Sequence, residues 1–331
     1  MPVGGTVQAE PAGTGGRVAA VTPPAIGLSL TAYYMRPAGP PAGEVAAAAA
    51  AAGLDFLQVG DHVSFYDGTG FDGMVLAVAA VSAQRLLPVH IGLYLLALRH
   101  PVLVARQLAD LSRIAPGRIV LGVGVGGEDR HEFAVCQVDP ATRGRRTDES
   151  LEALRLLSGG GPVTMNGQFF QFEEALVSPA PDPRVPIIVG GRSDAALRRT
   201  ARYGDGWLGL WVSPRRFAQA VAAIDEEAVA LGRPAREWRH GLNLWCGLDT
   251  PSAAGRDVLG PAMEERYKMP FERFEKWCPY GSADDIAAFV AGYAAAGCRE
   301  VNLVLHDADP FAAVAGAAAI RASVHRMLRA G

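Results

Sequence analysis

A short aliphatic run followed by an amphipathic stretch recurs eight times along this chain, and few folds accept that pattern. Ile26 to Leu30 (IGLSL) reads as the first strand, and Val45 to Ala52 lies in the helix after it. Asp55 to Gly60 (DFLQVG) precedes a helix over Met74 to Gln84. Val89 to Leu96 (VHIGLYLL) leads into a helix starting near Pro101, a residue tolerated there because its missing N–H would have no partner. Ile119 to Val123 is followed by Thr147 to Leu157, where leucines at 151, 154 and 157 mark one helical face. The second half repeats the theme. Val185 to Val189 precedes a helix over Ser193 to Tyr203, with Ser193 as its cap. Gly206 to Leu210 precedes Pro214 to Leu231, Gly241 to Cys246 precedes Ser282 to Ala296, and Val301 to Leu305 precedes Pro310 to Leu328.

Short buried strands alternating with helices imply parallel strands joined by right-handed crossovers. Eight such units in 331 residues predict a closed (β/α)8 TIM barrel rather than an open sheet. A doubly wound sheet would carry GxGxxG after its first strand. Here that strand runs into TAYYMRPAGP, and the nearest match, Gly122 to Gly127, follows the fourth. Two segments interrupt the rhythm, as insertions after strands 4 and 7. Gly159 to Pro183 reads as a hairpin turned at Asn166-Gly167, and Asp249 to Tyr280 as a wall or lid over the mouth. Residues 1–24, rich in Gly, Pro and Ala, read as a flexible lead-in to one domain over 25–331, and lack the basic start and apolar core of an export signal.

With 31 basic against 34 acidic side chains, charge offers no case for nucleic acid or an anionic membrane. No apolar run reaches membrane-spanning length. Cys136, Cys246, Cys278 and Cys298 are too scattered for a zinc knuckle or a disulfide scaffold, and fit a reducing cytoplasm.

Barrel active sites gather at the carboxyl ends of the strands. Asp61-His62 follows the second strand there, and His62 is suited to proton transfer with Asp61 as its orienter. At the third strand, Gly92 leaves space for a flat ring, with Tyr94 and Leu95 as walls, while His100 reads as a helix-start residue. Gly124, Gly126 and Gly127 follow the fourth strand and let backbone N–H groups turn toward a ligand. Glu128, Asp129, His131 and Glu132 beyond them read as a solvated loop, and no metal-ligand spacing is present. Gly190, Gly191, Arg192 and Ser193 open a helix and form a ready anion site for a cofactor phosphate. Trp211 falls on the mouth side and Trp207 nearer the core. These features fit hydride or electron transfer through a tricyclic ring; a hydrolase or isomerase using His62 stays open on the residues alone.

The stretches AAAAGLDFLQVGDH, RHPVLVARQLADLSRIAPGRIVLGVGVGG, RGRRTDESLEALRLL, VPIIVGGRSDAALRRTARYGDGW and PYGSADDIAAFVAGYAAAGCREVNLVL, in this order, resemble the luciferase-like monooxygenase superfamily, above all its branch using the deazaflavin coenzyme F420. The resemblance covers nearly all of the chain after Pro24. It implies a cofactor ring over the third strand, with a non-prolyl cis peptide at Tyr94–Leu95, give or take one residue. It places the family histidine on His62, the glycine turn on Gly124 to Gly127 and the phosphate turn on Gly190 to Arg192. The sugar-phosphate dehydrogenases of this family carry a Glu where this chain has Gly127, and their substrate-phosphate lysines find only Lys268 here, so the resemblance does not extend to that substrate.

The resemblance thus points to an F420-dependent oxidoreductase that moves hydride between the deazaflavin and an organic small molecule, with His62 handling the coupled proton. The alternatives are a monooxygenase using O2 and reduced FMN from a partner reductase, and a barrel that only binds a ligand. A homodimer is implied by resemblance alone. Aromatic residues around Tyr33-Tyr34, Phe65 to Phe71, Trp211 and Met263 to Trp277 predict a partly apolar substrate, with room for an anion near Arg266 or Lys268.

Overall fold

The computed structural model describes residues 21–31, 41–66, 68–234, 236–250, 253–306 and 309–330. Most of the expected lead-in and the pair Tyr33-Tyr34 lie outside these residues. Strands β1 (Ala25–Ser29), β2 (Phe56–Val59), β3 (Val89–Tyr94), β4 (Ile119–Val123), β5 (Ile187–Gly190), β6 (Gly206–Leu210), β7 (Gly241–Leu248) and β8 (Glu300–Leu305) form the central sheet. Each pairs in parallel with the next. Because β8 pairs in parallel with β1, the ring closes as the repeat predicted.

Around it run α1 (Ala42–Ala51), α2 (Gly73–Ala83), α3 (Pro101–Ile114), α4 (Arg143–Leu157), α5 (Asp194–Tyr203), α6 (Pro214–Ala230), α7 (Ala283–Ala295) and α8 (Pro310–Ala330). Their starts follow local chemistry. His100 caps α3 by accepting from Val102 N, with Pro101 at the first helical position. Ser193 caps α5 and Ser213 caps α6, each accepting a backbone N–H of the first turn. Leu151, Leu154 and Leu157 form the buried stripe of α4, as their spacing predicted.

The core lies between strands and helices, where side chains such as Ile26, Leu57, Ala109 and Ile320 are fully buried. At the amino-terminal end of the barrel the interior is polar. His90 stacks on Phe56 at 4.1 Å, and Glu300 accepts from Arg239 Nε at 2.7 Å. Burial pushes Glu300 above the usual carboxyl value against the pull of Arg239, and pushes His90 well below the usual imidazole value.

The first insertion holds the expected hairpin, Val163–Asn166 against Gln171–Ala175. The second carries a helix over Gly255–Tyr267 and packs Leu259, Met263, Phe271 and Phe274 against Trp245 and Val304. It is a wall of the mouth with its own small core. Among the described residues no helix is long and apolar enough to cross a membrane.

Candidate active site

The carboxyl ends of the strands surround a cavity of about 420 Å³, within the range of sites that bury a drug-sized ligand. Asp61, His62, Gly92, Leu95, Gly124, Gly126, Gly127, Gly190, Gly191 and Arg192 all line it. Tyr94 and Ser193 do not. Leu93, Gln58, Asn243 and Trp245, absent from the sequence expectation, do.

The non-prolyl cis peptide lies at Gly92–Leu93, one step before the window expected from resemblance. The β3–β4 ladder shows why. Ile91 pairs with Leu121 and Tyr94 with Val123, so three steps on one strand face two on the other. A Cβ at Gly122 would lie 3.1 Å from the Ile91 carbonyl oxygen and 3.2 Å from Gly92 Cα, so the bulge falls where facing glycines leave room. The displacement reverses two side chains. Leu93 faces the cavity, while Tyr94, 1% exposed, turns into the outer core beneath the Arg99 guanidinium at 4.4 Å. Tyr94, expected as a wall of the cavity, is therefore outside it, and Leu93 stands in that position.

His62 begins a short strand (His62–Phe65) that pairs with Thr69–Phe71, a hairpin the sequence reading did not resolve. Its Nδ1 lies 3.2 and 3.1 Å from the two carboxylate oxygens of Glu132. Glu132 comes from the short helix His131–Val135 and is only 3% exposed. It also accepts from Val63 N at 2.8 Å and Ser64 N at 3.4 Å. Burial alone would raise its pKa, but the His62 interaction and these backbone N–H groups outweigh it and hold Glu132 below its ordinary 4.5. Asp129 is likewise engaged, accepting from Tyr66 N at 2.7 Å. Of the expected solvated loop, Glu128 and His131 are exposed, whereas Asp129 and Glu132 are buried and brace the hairpin.

An ionised carboxylate only accepts, so Nδ1 of His62 carries the hydrogen and Nε2 of the neutral ring is a bare acceptor. Nε2 lies 3.4 Å from Arg266 Nη2, and both residues line the cavity.

Asp61 has a different task from the one its neighbour in sequence implied. It is 2% exposed, accepts from both Arg99 nitrogens at 2.6 and 2.8 Å, and accepts from Leu95 N at 2.9 Å and Gly73 N at 3.2 Å. Burial pushes its carboxyl above the ordinary value against the pull of Arg99. Asp61 thus ties the chain after β3 to the start of α2. Glu132 orients His62.

Across the cavity, Gly126 (φ 63°), Gly127 (φ 107°) and Gly191 (φ 129°) hold left-handed backbone conformations that favour glycine. Trp207, buried as expected, donates Nε1–H to the Gly191 carbonyl at 2.7 Å and steadies that turn. Arg192 lies 5.3 Å from the Trp211 ring, and Trp211 stands at the mouth. The Ser193 hydroxyl is taken by its own helix, accepting from Ala196 N at 3.3 Å. Of the expected anion turn, Gly190, Gly191 and Arg192 face the cavity and Ser193 does not. A flat shelf at Gly92–Leu93, glycine amides on two sides and one cation beside them fit a phosphate-bearing tricyclic cofactor. Among the described residues no cluster of His, Cys, Asp and Glu could hold a metal.

Comparison with known proteins places the whole chain rather than its site. The chain is 32% identical over 181 residues to an uncharacterised protein of Mycobacterium tuberculosis, a match covering 54% of this chain and 62% of that one. It is 28% identical over 286 residues to an F420-dependent glucose-6-phosphate dehydrogenase of Kineococcus radiotolerans, covering 77% of this chain and 83% of the relative. In fold it superposes on an F420-dependent secondary alcohol dehydrogenase, solved with an F420–acetone adduct, with a TM-score of 0.76 at 20% identity over 92% of this chain and 99% of the other. With the luciferase-like monooxygenase model matching residues 18–297, the chain belongs to that family.

Proposed function

We infer that the chain is an F420- or flavin-dependent oxidoreductase, and we propose that it moves hydride between deazaflavin F420 and a small organic substrate. The supporting observation is the dyad of His62 and Glu132 at the edge of a cavity whose floor is the Gly92–Leu93 shelf. When bound, such a ring supplies or accepts an electron pair as hydride. The accompanying proton is the protein's task. His62 Nε2 takes it from a substrate hydroxyl, or returns it to a carbonyl oxygen, while Glu132 holds the tautomer and stabilises the imidazolium. Gly190 to Arg192 would hold a cofactor phosphate, and Leu93 and Leu210, which line the cavity, would exclude water from a bound ring.

Titrating the purified protein with F420 and FMN side by side tests the cofactor. F420 is expected to bind at least about tenfold tighter, a difference of ~1.4 kcal/mol. Tighter FMN binding would instead favour a monooxygenase fed by a partner reductase, a reading that the family name also supports. If either ring binds tightly but no turnover follows with any substrate, the barrel is a ligand-binding protein. We also propose that the chain works as a homodimer in a reducing cytoplasm; its four cysteines, none of them in a disulfide, are consistent with that compartment.

Glu132→Gln tests the dyad. The amide keeps a carbonyl acceptor but loses the negative charge that favours the imidazolium. Turnover should fall about tenfold in a rate profile measured across pH, because the amide no longer supplies the charge that stabilises the imidazolium formed in proton transfer. Stability follows the same group. Since Glu132 is held below its ordinary 4.5, its interactions stabilise the fold above that pH and are lost as pH falls through the lower folded value. The variant should therefore show a flatter acid limb in melting temperature against pH. An unchanged rate profile would remove Glu132 from the proton path.

A further inference from the structure

Arg266 is the cation the proposed chemistry does not use. It stands in the last turn of the helix Gly255–Tyr267, lines the cavity, and holds Nη2 3.4 Å from His62 Nε2. Its guanidinium sits among aromatic rings, 5.3 Å from Phe65, 5.8 Å from Trp245 and 5.9 Å from Tyr267. Its Nε is buried without a hydrogen-bond partner, and among the described residues no carboxylate lies within ion-pair distance of it. Its neighbours are the Tyr267 side chain and His62, with Glu128 on the same mouth but beyond ion-pair distance. A half-buried guanidinium packed among aromatic rings, with no carboxylate within ion-pair distance among the described residues, is stabilised by a ligand that supplies the opposite charge.

Resting on the oxidoreductase reading above, we propose that Arg266 binds a carboxylate carried by the substrate next to its reacting carbon. Adjacency follows from geometry, because the group that handles the proton and the group that would hold the anion are 3.4 Å apart. A substrate oxygen on Nε2 and a carboxylate on Arg266 can then be only one or two bonds from each other's carbon, as in a 2- or 3-hydroxy acid. In the oxidising direction such an acid would give its O–H proton to Nε2, and its C–H electron pair would leave as the hydride that an oxidised deazaflavin, when bound, accepts. The carbon–oxygen double bond forms as the proton and hydride leave, and the carboxylate stays on Arg266. A monoanion fits better than a phosphate. Arg266 brings one positive charge, and Glu128 lines the same mouth, so a dianion would be left undercompensated. Lys268, the other cation considered from sequence, is exposed and is not among the residues lining the cavity.

Calorimetric titration of the full chain, with and without saturating F420, reads this directly, using benzoate, its neutral counterpart benzamide, and phenyl phosphate. Benzoate is expected to bind about tenfold to a hundredfold tighter than benzamide, the range for a hydrogen-bonded charge pair, and tighter than phenyl phosphate. Arg266→Gln should erase the preference for benzoate over benzamide, Arg266→Lys should keep part of it, and Lys268→Gln should keep all of it. Arg266→Gln should also leave F420 affinity within about twofold. Equal binding of benzoate and benzamide to the unaltered protein would overturn the proposal. So would a preference that survives Arg266→Gln, tighter phenyl phosphate binding, or loss of F420 affinity in that variant, which would assign Arg266 to the cofactor. Failure of the unaltered protein to bind either ring would sink the oxidoreductase reading instead, and the benzoate preference is read on the unloaded chain regardless.

Discussion

Replacing His62 with alanine should lower turnover by about a hundredfold or more while leaving the barrel folded. Proton transfer by a positioned imidazole contributes ~10²–10⁴ in rate, and among the described residues no other imidazole lines the cavity. The fold should survive because Glu132 keeps its hydrogen bonds from Val63 N and Ser64 N after the ring is gone. What is lost locally is the contact of the ring with Phe65, at 4.2 Å between centroids. Steady-state kinetics beside a thermal melt separates the two effects. Turnover within about twofold of the unaltered enzyme would exclude His62 from the chemistry.

Asp61→Ala should act in the opposite way, through stability first. The change strips Arg99 of a carboxylate held at 2.6 and 2.8 Å and leaves Leu95 N and Gly73 N without that acceptor. Removing one partner of a buried ion pair costs about 3–5 kcal/mol when the other charge is left without it, and the lower end is expected here because Arg99 Nη2 keeps its longer contact with Asp72 Oδ2 at 3.5 Å. For a chain of this size that is a fall in Tm on the order of 10 °C. Removing Arg99 as well should recover part of the loss, since the unpaired charge goes with it. Cofactor binding should weaken in the single variant, because Leu95 follows the Gly92–Leu93 shelf and is tied in place by Asp61. A Tm within about 2 °C of the unaltered protein would show that this pair does not brace the mouth.

These two neighbours illustrate what could be read from the chain and what could not. The eightfold alternation of strand and helix was legible because hydrophobic periodicity is a local property, and closure follows from the number and handedness of the units. Strand-end placement then identified the mouth and most of its lining, from Gly92 through Gly124 to Arg192. Helix caps at His100 and Ser193 were equally local.

The pairing of side chains was not local. Successive side chains on extended backbone point to opposite sides, so Asp61 turns toward Arg99 while His62 turns toward Glu132, 70 residues away. The same alternation, shifted by the bulge between Ile91 and Tyr94, turns Leu93 into the cavity and Tyr94 out of it. Arg266 reaches His62 across 204 residues because the insertion after β7 folds back over the mouth on its own apolar core. Sequence alone determined the barrel, its open end and the residue types gathered there. Only tertiary structure decided which carboxylate meets the histidine and which cation faces it, since those choices depend on side-chain direction and long-range packing rather than on the order of residues.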